Sequence, residues 1–352
     1  MSQHPLARDL RNVLARTEPL WSEMRQQSVF ITGGTGFVGR WMLESLLWAT
    51  DQLALNVRVV VLSRRPEAFA RAAPHLAGDP AVTFLRGDVR AFPYPDGEYP
   101  HVLHLAKEPV PAADVGSGTA TPATLAPGTD RVLAFAASHG TKKLLFTSSG
   151  AVYGRQPEGC ERLEEDRPGV ISPQDPHAGY ALGKQAAERL CLSASRHSDV
   201  NVKIARCFTF VGPYMDFAAG FAIGDFIRDA ACGDPLRVTG DGTPLRSYLY
   251  AADLAVWLWT IHCAGANAWP YNVGSPDAVS IADTARLVAR VAGRDKAVRI
   301  AQSPSPGLAT PTRYVPDTSR AASHLGLKVE IGLEEAVRRT LDWYRPGRCG
   351  RS

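Results

Sequence analysis

Cysteine is sparse in this chain. Six occur in 352 residues, at positions 160, 191, 207, 232, 263 and 349, and no two form a CxxC pair. That spacing argues against a metal centre or a disulfide framework and for free thiols in a reducing compartment. An excess of one charge is missing too: 39 Lys and Arg face 35 Asp and Glu, and the net +4 is spread without a basic block. No footprint for nucleic acid results. Apolar runs of membrane-spanning length are absent. Residues 1–27 contain Arg8, Asp9, Arg11 and Glu18 and lack the apolar core of a signal peptide. A cytoplasmic location is expected, with no membrane or nucleic-acid partner. Internal repeats are missing as well.

What is present is a length and a 45% hydrophobic composition sufficient for a large core. "LARDLRNVLARTEPLWSEMRQQ" carries Leu6, Leu10, Val13 and Leu14 at helical spacing, interrupted near Pro19, and is expected to dock on the main body. From residue 28 the pattern alternates between apolar strands and helices. Strands are expected at 28–32, 57–63, 81–88, 101–106, 142–149 and 202–212, with helices near 39–50, 127–138 and from Tyr180 onward. Strands this apolar imply a parallel sheet covered on both faces, an α/β doubly wound architecture. Residues 114–128 are expected to form a mobile loop. The expected division is a helical extension over 1–27, a Rossmann-type dinucleotide-binding domain over 28–212, a smaller substrate lobe over 213–345 and a tail over 346–352.

"TGGTGFVG" places Gly33, Gly36 and Gly39 between the first strand and the first helix of this pattern. Glycines there permit a tight turn, close approach of a pyrophosphate and close helix packing, with Phe37 and Val38 opening the helix. After the second strand, the acid that would bind an NAD ribose is missing. Ser63, Arg64 and Arg65 stand there instead, a hydroxyl and two guanidiniums suited to a 2′-phosphate. NADP is therefore the expected cofactor, with NAD as the alternative. Asp88 and Val89 after the third strand, and Leu105 and Ala106 after the fourth, complete the expected cofactor contacts.

"FTSSGAVYG" ends the fifth strand in Thr147, Ser148 and Ser149, and "YALGK" puts Tyr180 and Lys184 four apart on one helix face. A phenol is a poor base at neutral pH, but a nearby ammonium and a nicotinamide cation favour the phenolate. Tyr180 would exchange the proton of an alcohol while hydride passes at the same carbon, and Ser149 would hold the oxygen in line.

With these motifs in view, the chain resembles the extended short-chain dehydrogenase/reductase family, in its epimerase/dehydratase branch. "TGGTGFVG", "GDVR", "HLA", "TSSGAVYG", "YALGK", "ARCFTFVGP", "GDGTPLRSYLYAADLA" and "YNVGS" carry the likeness across residues 28 to 345. The resemblance implies a nucleotide-diphosphate sugar as substrate and a homodimer as the assembly. It also implies that Arg246 and Arg313 hold the diphosphate. Thr209 stands where the family has a diphosphate-contacting Asn; Lys107-Glu108 follow "HLA" where small residues are usual; and the Asn before "GT" is replaced within "LAPGT".

One further absence follows from the resemblance. Sugar 4,6-dehydratases carry an Asp-Glu pair after the catalytic hydroxyl, and sugar decarboxylases a Glu at the second of these positions; here they are Gly150 and Ala151. Neither can transfer a proton, so the expectation is a simple hydride exchange, most simply by a 4-ketoreductase, and not a 4,6-dehydratase or decarboxylase. A 4-epimerase is the alternative, and a non-catalytic NADP-sensing regulator a distant one.

Overall fold

The computed structural model describes residues 4–108, 122–172, 175, 178–293, 298–302 and 311–344. Six apolar, largely β-branched runs form strands β1 (Ser28–Thr32), β2 (Arg58–Ser63), β3 (Val82–Arg86), β4 (His101–His104), β5 (Lys143–Ser149) and β6 (Asn201–Cys207). A seventh, Pro270–Val273, joins them. The sheet order is Pro270–Val273, β6, β5, β4, β1, β2, β3. Every pairing is parallel. All five residues of β1 are buried, as a strand covered on both faces requires. β1 pairs with both β2 and β4, so strand order reverses there and the crevice at the carboxyl ends is the natural ligand site.

One face is covered by helices Pro127–Ser138 and Ala178–His197, which pack Val132, Phe135, Ala186, Ala187 and Cys191 onto Phe30, Val102, Leu144 and Phe146. The other is covered by α1 (Ala7–Thr17), α2 (Phe37–Leu53) and helix Ala251–Ala264. The last is apolar nearly all round, and Trp257 and Trp259 are fully buried; such a helix belongs inside a core. α1 buries Leu10 and Val13 against this layer, and a 3-10 segment, Glu18–Met24, follows where Pro19 interrupts the helix. Two elements from beyond residue 212, helix Ala251–Ala264 and strand Pro270–Val273, thus complete the main layers.

The rest of the later chain forms short pieces. Leu245–Arg246 pairs with Val279–Ser280 and Arg313–Tyr314, Leu236–Val238 with Val298–Ile300, and Phe210–Val211 with Leu249–Tyr250. Of the expected mobile loop, residues 114–121 lie outside the described residues, while Pro122–Leu125 and Pro127 onward are helical. Among the described residues, no helix is long and apolar enough to cross a membrane.

Candidate functional site

The three hydroxyls that end β5 have different partners because strand side chains alternate. Thr147 Oγ1 donates to the carbonyl of His104 at 3.2 Å. Ser148, facing the opposite way, donates to Glu188 at 2.5 Å, and Arg206 pairs with the same carboxylate at 2.7 Å. Only Ser149 is left for the crevice, its Oγ accepting the Ala151 N–H at 3.1 Å.

Tyr180 and Lys184 lie one turn apart near the start of helix Ala178–His197. Lys184 is 8% exposed; its ammonium donates to the Thr147 carbonyl at 2.8 Å and sits 4.6 Å from the Phe146 ring centre. Burial lowers it to about 8. Burial also pushes the Tyr180 phenol above its ordinary value, and a hydrogen bond with Ser149 offsets part of that. The structure thus brings Ser149, Tyr180 and Lys184 to one place at the carboxyl end of β5.

Sequence reasoning missed a fourth member. Tyr314 brings its phenol to the same neighbourhood as Ser149 and Tyr180, and burial is the chief cause that pushes it well above its ordinary value. A Cβ on Gly150 would come within 2.5 Å of the Tyr314 hydroxyl and 2.8 Å of the Phe208 ring. Gly150 is therefore dictated by this phenol. No local signal announces it, because 165 residues separate Ser149 from Tyr314.

The two unusual features after β4 and before "GT" explain each other. Glu108 accepts from the backbone N–H groups of Gly128 and Thr129 at 2.6 and 2.9 Å, and from the Thr129 hydroxyl at 3.1 Å. A carboxylate at a helix N-terminus satisfies orphan donors and the dipole together. Gly128 leaves room for it, since a Cβ there would lie 2.5 Å from Glu108 Oε1. Lys107 is exposed, with its ammonium 5.2 Å from the centre of the Tyr180 ring.

The glycine turn fits a dinucleotide. Gly33 has φ +70°, and a Cβ on it would strike Ala106 N at 2.6 Å, so Leu105 and Ala106 close directly over the turn. A Cβ on Gly39 would strike Gly33 O at 2.3 Å, whereas one on Gly36 meets nothing nearer than 3.5 Å. Gly36, the N-cap of α2, makes no side-chain cap bond, which leaves the first N–H groups of Phe37 and Val38 available to an anion. At the end of β2, Ser63 is buried and accepts the Arg65 N–H at 3.2 Å, while Arg64 and Arg65 are exposed. Asp88 is held by Arg90 at 2.8 Å, and that side-chain bond is the chief reason its carboxyl falls to about 2. Val89 is half-buried beside Gly128.

The two arginines expected to grip one diphosphate sit on paired strands, but in a register that separates them. Tyr314 lies opposite Arg246, and Arg313 opposite Leu245. Residues paired across a ladder share a face, so Arg246 shares the Tyr314 face and Arg313 takes the other. Both are half-buried, and Arg246 donates to the Leu245 carbonyl at 2.8 Å. Thr209 is half-buried, its carbonyl accepting the Leu249 N–H at 3.0 Å.

Comparison with known proteins matches residues 29–274 to the model of the NAD dependent epimerase/dehydratase family. A UDP-glucuronic acid decarboxylase 1 of Xenopus tropicalis is 30% identical, over 92% of this chain and 73% of that protein. A dTDP-glucose 4,6-dehydratase of Streptomyces antibioticus is 26% identical, over 92% of this chain and 93% of its own length. Among solved structures, a dTDP-glucose 4,6-dehydratase of Streptomyces venezuelae with NAD bound superposes with TM-score 0.72 at 22% identity, covering 92% and 98% of the two chains. A UDP-glucuronic acid 4-epimerase of Bacillus cereus, also with NAD, gives 0.72 at 21% identity, covering 90% and 99%.

These relatives overturn the exclusion drawn from Gly150 and Ala151. Proteins named decarboxylase and 4,6-dehydratase match nearly the whole chain, and the reading of a simple ketoreductase falls with that exclusion. The physical error was to equate two missing carboxylates with missing proton chemistry. Loss of carbon dioxide from a β-keto acid needs an electron sink, not a carboxylate base, and the site holds a further, half-buried tyrosine in Tyr314.

Proposed function

The chain belongs to the NAD dependent epimerase/dehydratase family, and on that premise we propose that it is an enzyme acting on a nucleotide sugar. Its first chemical event is oxidation of one hydroxyl-bearing carbon of the sugar. Decarboxylation of a nucleotide-linked uronic acid is the outcome that asks least of this site. The observation that carries the reading is the grouping of Ser149, Tyr180 and Lys184 at the carboxyl end of β5, on the same sheet edge as the glycine turn.

A bound nicotinamide dinucleotide supplies the acceptor, and later the donor, of a hydride. Gly33, Gly36, Gly39 and the N-terminus of α2 would hold its pyrophosphate, with Leu105, Ala106 and Val89 as further contacts. Exposed Arg64 and Arg65 support NADP over NAD; tighter binding of NAD in a titration of both would overturn that preference. Tyr180 takes the hydroxyl proton and Ser149 fixes the oxygen. The buried Lys184 ammonium, one turn along, favours negative charge on Tyr180.

Once the carbon is a ketone, a carboxylate β to it leaves as carbon dioxide and the carbonyl oxygen facing Ser149 and Tyr180 receives the electrons. The carbon that lost the carboxylate then takes a proton from water. Return of the hydride to the carbonyl carbon, with the proton held by Tyr180 going to its oxygen, restores the hydroxyl. No side chain at 150 or 151 is needed for the loss of carbon dioxide. Lys107, beside Tyr180, is a cation available to the carboxylate on entry. Arg246 is the residue proposed to hold the diphosphate, with Arg313 and Thr209 as outer contacts.

The test is product analysis after incubation with UDP-glucuronic acid and either dinucleotide. Release of carbon dioxide with no net dinucleotide consumption supports the reading. Epimerisation of that substrate without loss of carbon dioxide, or a dehydrated product from dTDP-glucose, would replace it.

A further inference from the structure

We propose that His104 is a positioning residue of the dinucleotide crevice, a neutral imidazole protonated on Nε2 that joins the glycine turn to Glu108 and so fixes the Leu105–Glu108 segment over the turn. The inference rests on the reading of the glycine turn as the seat of a dinucleotide and deepens it.

A line of hydrogen bonds runs from β1 through β4 to the helix Pro127–Ser138. Thr32 ends β1 just before Gly33; its Oγ1 lies 2.7 Å from His104 Nδ1 and accepts the Ala106 N–H at 3.4 Å. His104 Nε2 lies 3.0 Å from Thr129 Oγ1, which donates to Glu108 at 3.1 Å. Thr32, His104 and Thr129 are at most 1% exposed, so water cannot replace a bond lost along the line. The Leu105–Glu108 segment is tied at both ends. At one end the Leu105 N–H donates to the Thr32 carbonyl at 3.0 Å. At the other, Glu108 accepts from Gly128 and Thr129 at 2.6 and 2.9 Å. His104 bridges the two ties. Between them Ala106 N lies 2.6 Å from the place a Cβ on Gly33 would occupy.

The direction of these bonds follows from the acidic end. A carboxylate only accepts, so the single Thr129 hydroxyl proton goes to Glu108. Thr129 Oγ1 then meets His104 as an acceptor, which puts the imidazole proton on Nε2. Nδ1 is left as an acceptor, and the Thr32 hydroxyl donates to it. A second imidazole proton has no place, because on Nδ1 it would face the proton of Thr32. It would also stand near a cation: the Phe146 ring centre lies 5.4 Å from that of His104 and 4.6 Å from the Lys184 ammonium. Burial first, and that ammonium second, lower His104 to about 3. The imidazole is therefore a neutral connector with one tautomer, set by the bond its other nitrogen makes.

The experiment reads the tautomer without substrate or dinucleotide. Protein labelled with nitrogen-15 in histidine is observed by long-range proton–nitrogen correlation, and the His104 signals are assigned by their loss in His104→Gln. Wild type is expected to show a protonated Nε2 and a bare Nδ1 across the neutral range. Thr129→Val keeps the shape of the side chain and removes the acceptor. The proton is then expected to move to Nδ1, where Thr32 Oγ1 can take it. Affinity for NADPH or NADH, followed by their fluorescence, should fall about 3- to 10-fold, the net worth of one hydrogen bond. Thr129→Ser keeps the hydroxyl and should restore both readings. A wild-type His104 protonated on Nδ1, or on both nitrogens, overturns the proposal, and this spectrum decides even where a variant does not fold. Wild-type dinucleotide affinity in folded Thr129→Val overturns it too. Failure of wild type to bind either dinucleotide would strike the reading of the glycine turn instead, and the imidazole spectrum would still decide the line of bonds.

Discussion

Charge is buried on opposite terms in two parts of this molecule. Where the N-terminal helix docks, Asp9, Asp253 and Glu44 are each held by several partners. Asp9 accepts from Tyr250 at 2.6 Å and pairs with Arg339. Asp253 pairs with Arg16 and accepts the N–H groups of Glu330 and Ile331 at 3.1 and 2.9 Å. Glu44 receives His75 at 2.8 Å, His4 at 3.2 Å and the hydroxyl of Tyr214. At the carboxyl end of β5, by contrast, the Lys184 ammonium is buried on a neutral carbonyl, and the Tyr180 and Tyr314 phenols stand near Ser149 with no carboxylate between them. A saturated cluster fastens elements together, whereas an unsaturated one keeps groups out of balance with water, as acid–base chemistry requires.

The His4, Glu44 and His75 trio shows how much the first kind is closed. Their ligand atoms lie within 4.8 Å of one another, a metal-like spacing. Yet His4 Nδ1 accepts the Leu6 N–H at 3.2 Å, which leaves the proton on Nε2, facing the carboxylate. The trio closes on itself as a latch between the N-terminal segment, α2 and the helical turn carrying His75.

The contrast predicts which changes cost activity and which cost stability. Tyr180→Phe should lower turnover by about 10²–10⁴-fold, the usual worth of a general acid–base group, with dinucleotide binding and melting temperature nearly unchanged. A steady-state assay beside a thermal melt checks both halves. Asp253→Ala should do the reverse, costing about 3–5 kcal/mol of stability because Arg16 loses its partner beside a buried site, while the kcat of the folded fraction survives. Denaturant unfolding of the variant measures it.

Arg246→Ala should raise the KM for the nucleotide sugar by about 10- to 150-fold, the worth of a charge-assisted contact of about 1.5–3 kcal/mol. Arg313→Ala should do less, because its register puts it on the other face from Tyr314. Equal effects would mean that both arginines reach one anion.

The smallest effect is on acid stability. Burial alone would raise the Glu44 carboxyl, but the bonds from His4, His75 and Tyr214 outweigh it and hold it at about 2. A carboxyl depressed by folding contributes stability above its ordinary value near 4.5, and that contribution disappears as pH falls toward about 2. Glu44→Gln should flatten the stability–pH curve in that window without altering the pH dependence of turnover.

The cofactor half was legible because its signals are local. Gly33 and Gly39 each mark a close backbone approach, Gly36 caps α2, and the helix read at 127–138 spans Pro127–Ser138. Apolar runs also located β1 to β6 within a residue or two, apart from strand ends read too long, as at β4 and β6. What the sequence hid depends on distant contacts. Strand Pro270–Val273 is four residues long and follows a helix too apolar to show a face, so no periodicity marks it. Glu108 and Gly128 look like two separate departures until the carboxylate is seen on the helix N-terminus. Gly150 reads as a lost carboxylate in sequence and as room for the Tyr314 hydroxyl in space.

The most direct measurement is a paired incubation of wild type and Tyr180→Phe with a nucleotide-linked uronic acid, following carbon dioxide release and dinucleotide absorbance together. Wild type should release carbon dioxide catalytically with no net change in the dinucleotide, and the variant, still binding dinucleotide, should release about a hundredth as much or less. Equal release from both proteins, or stoichiometric reduction of the dinucleotide without carbon dioxide, would contradict the assignment of this chemistry to the unsaturated cluster at the end of β5.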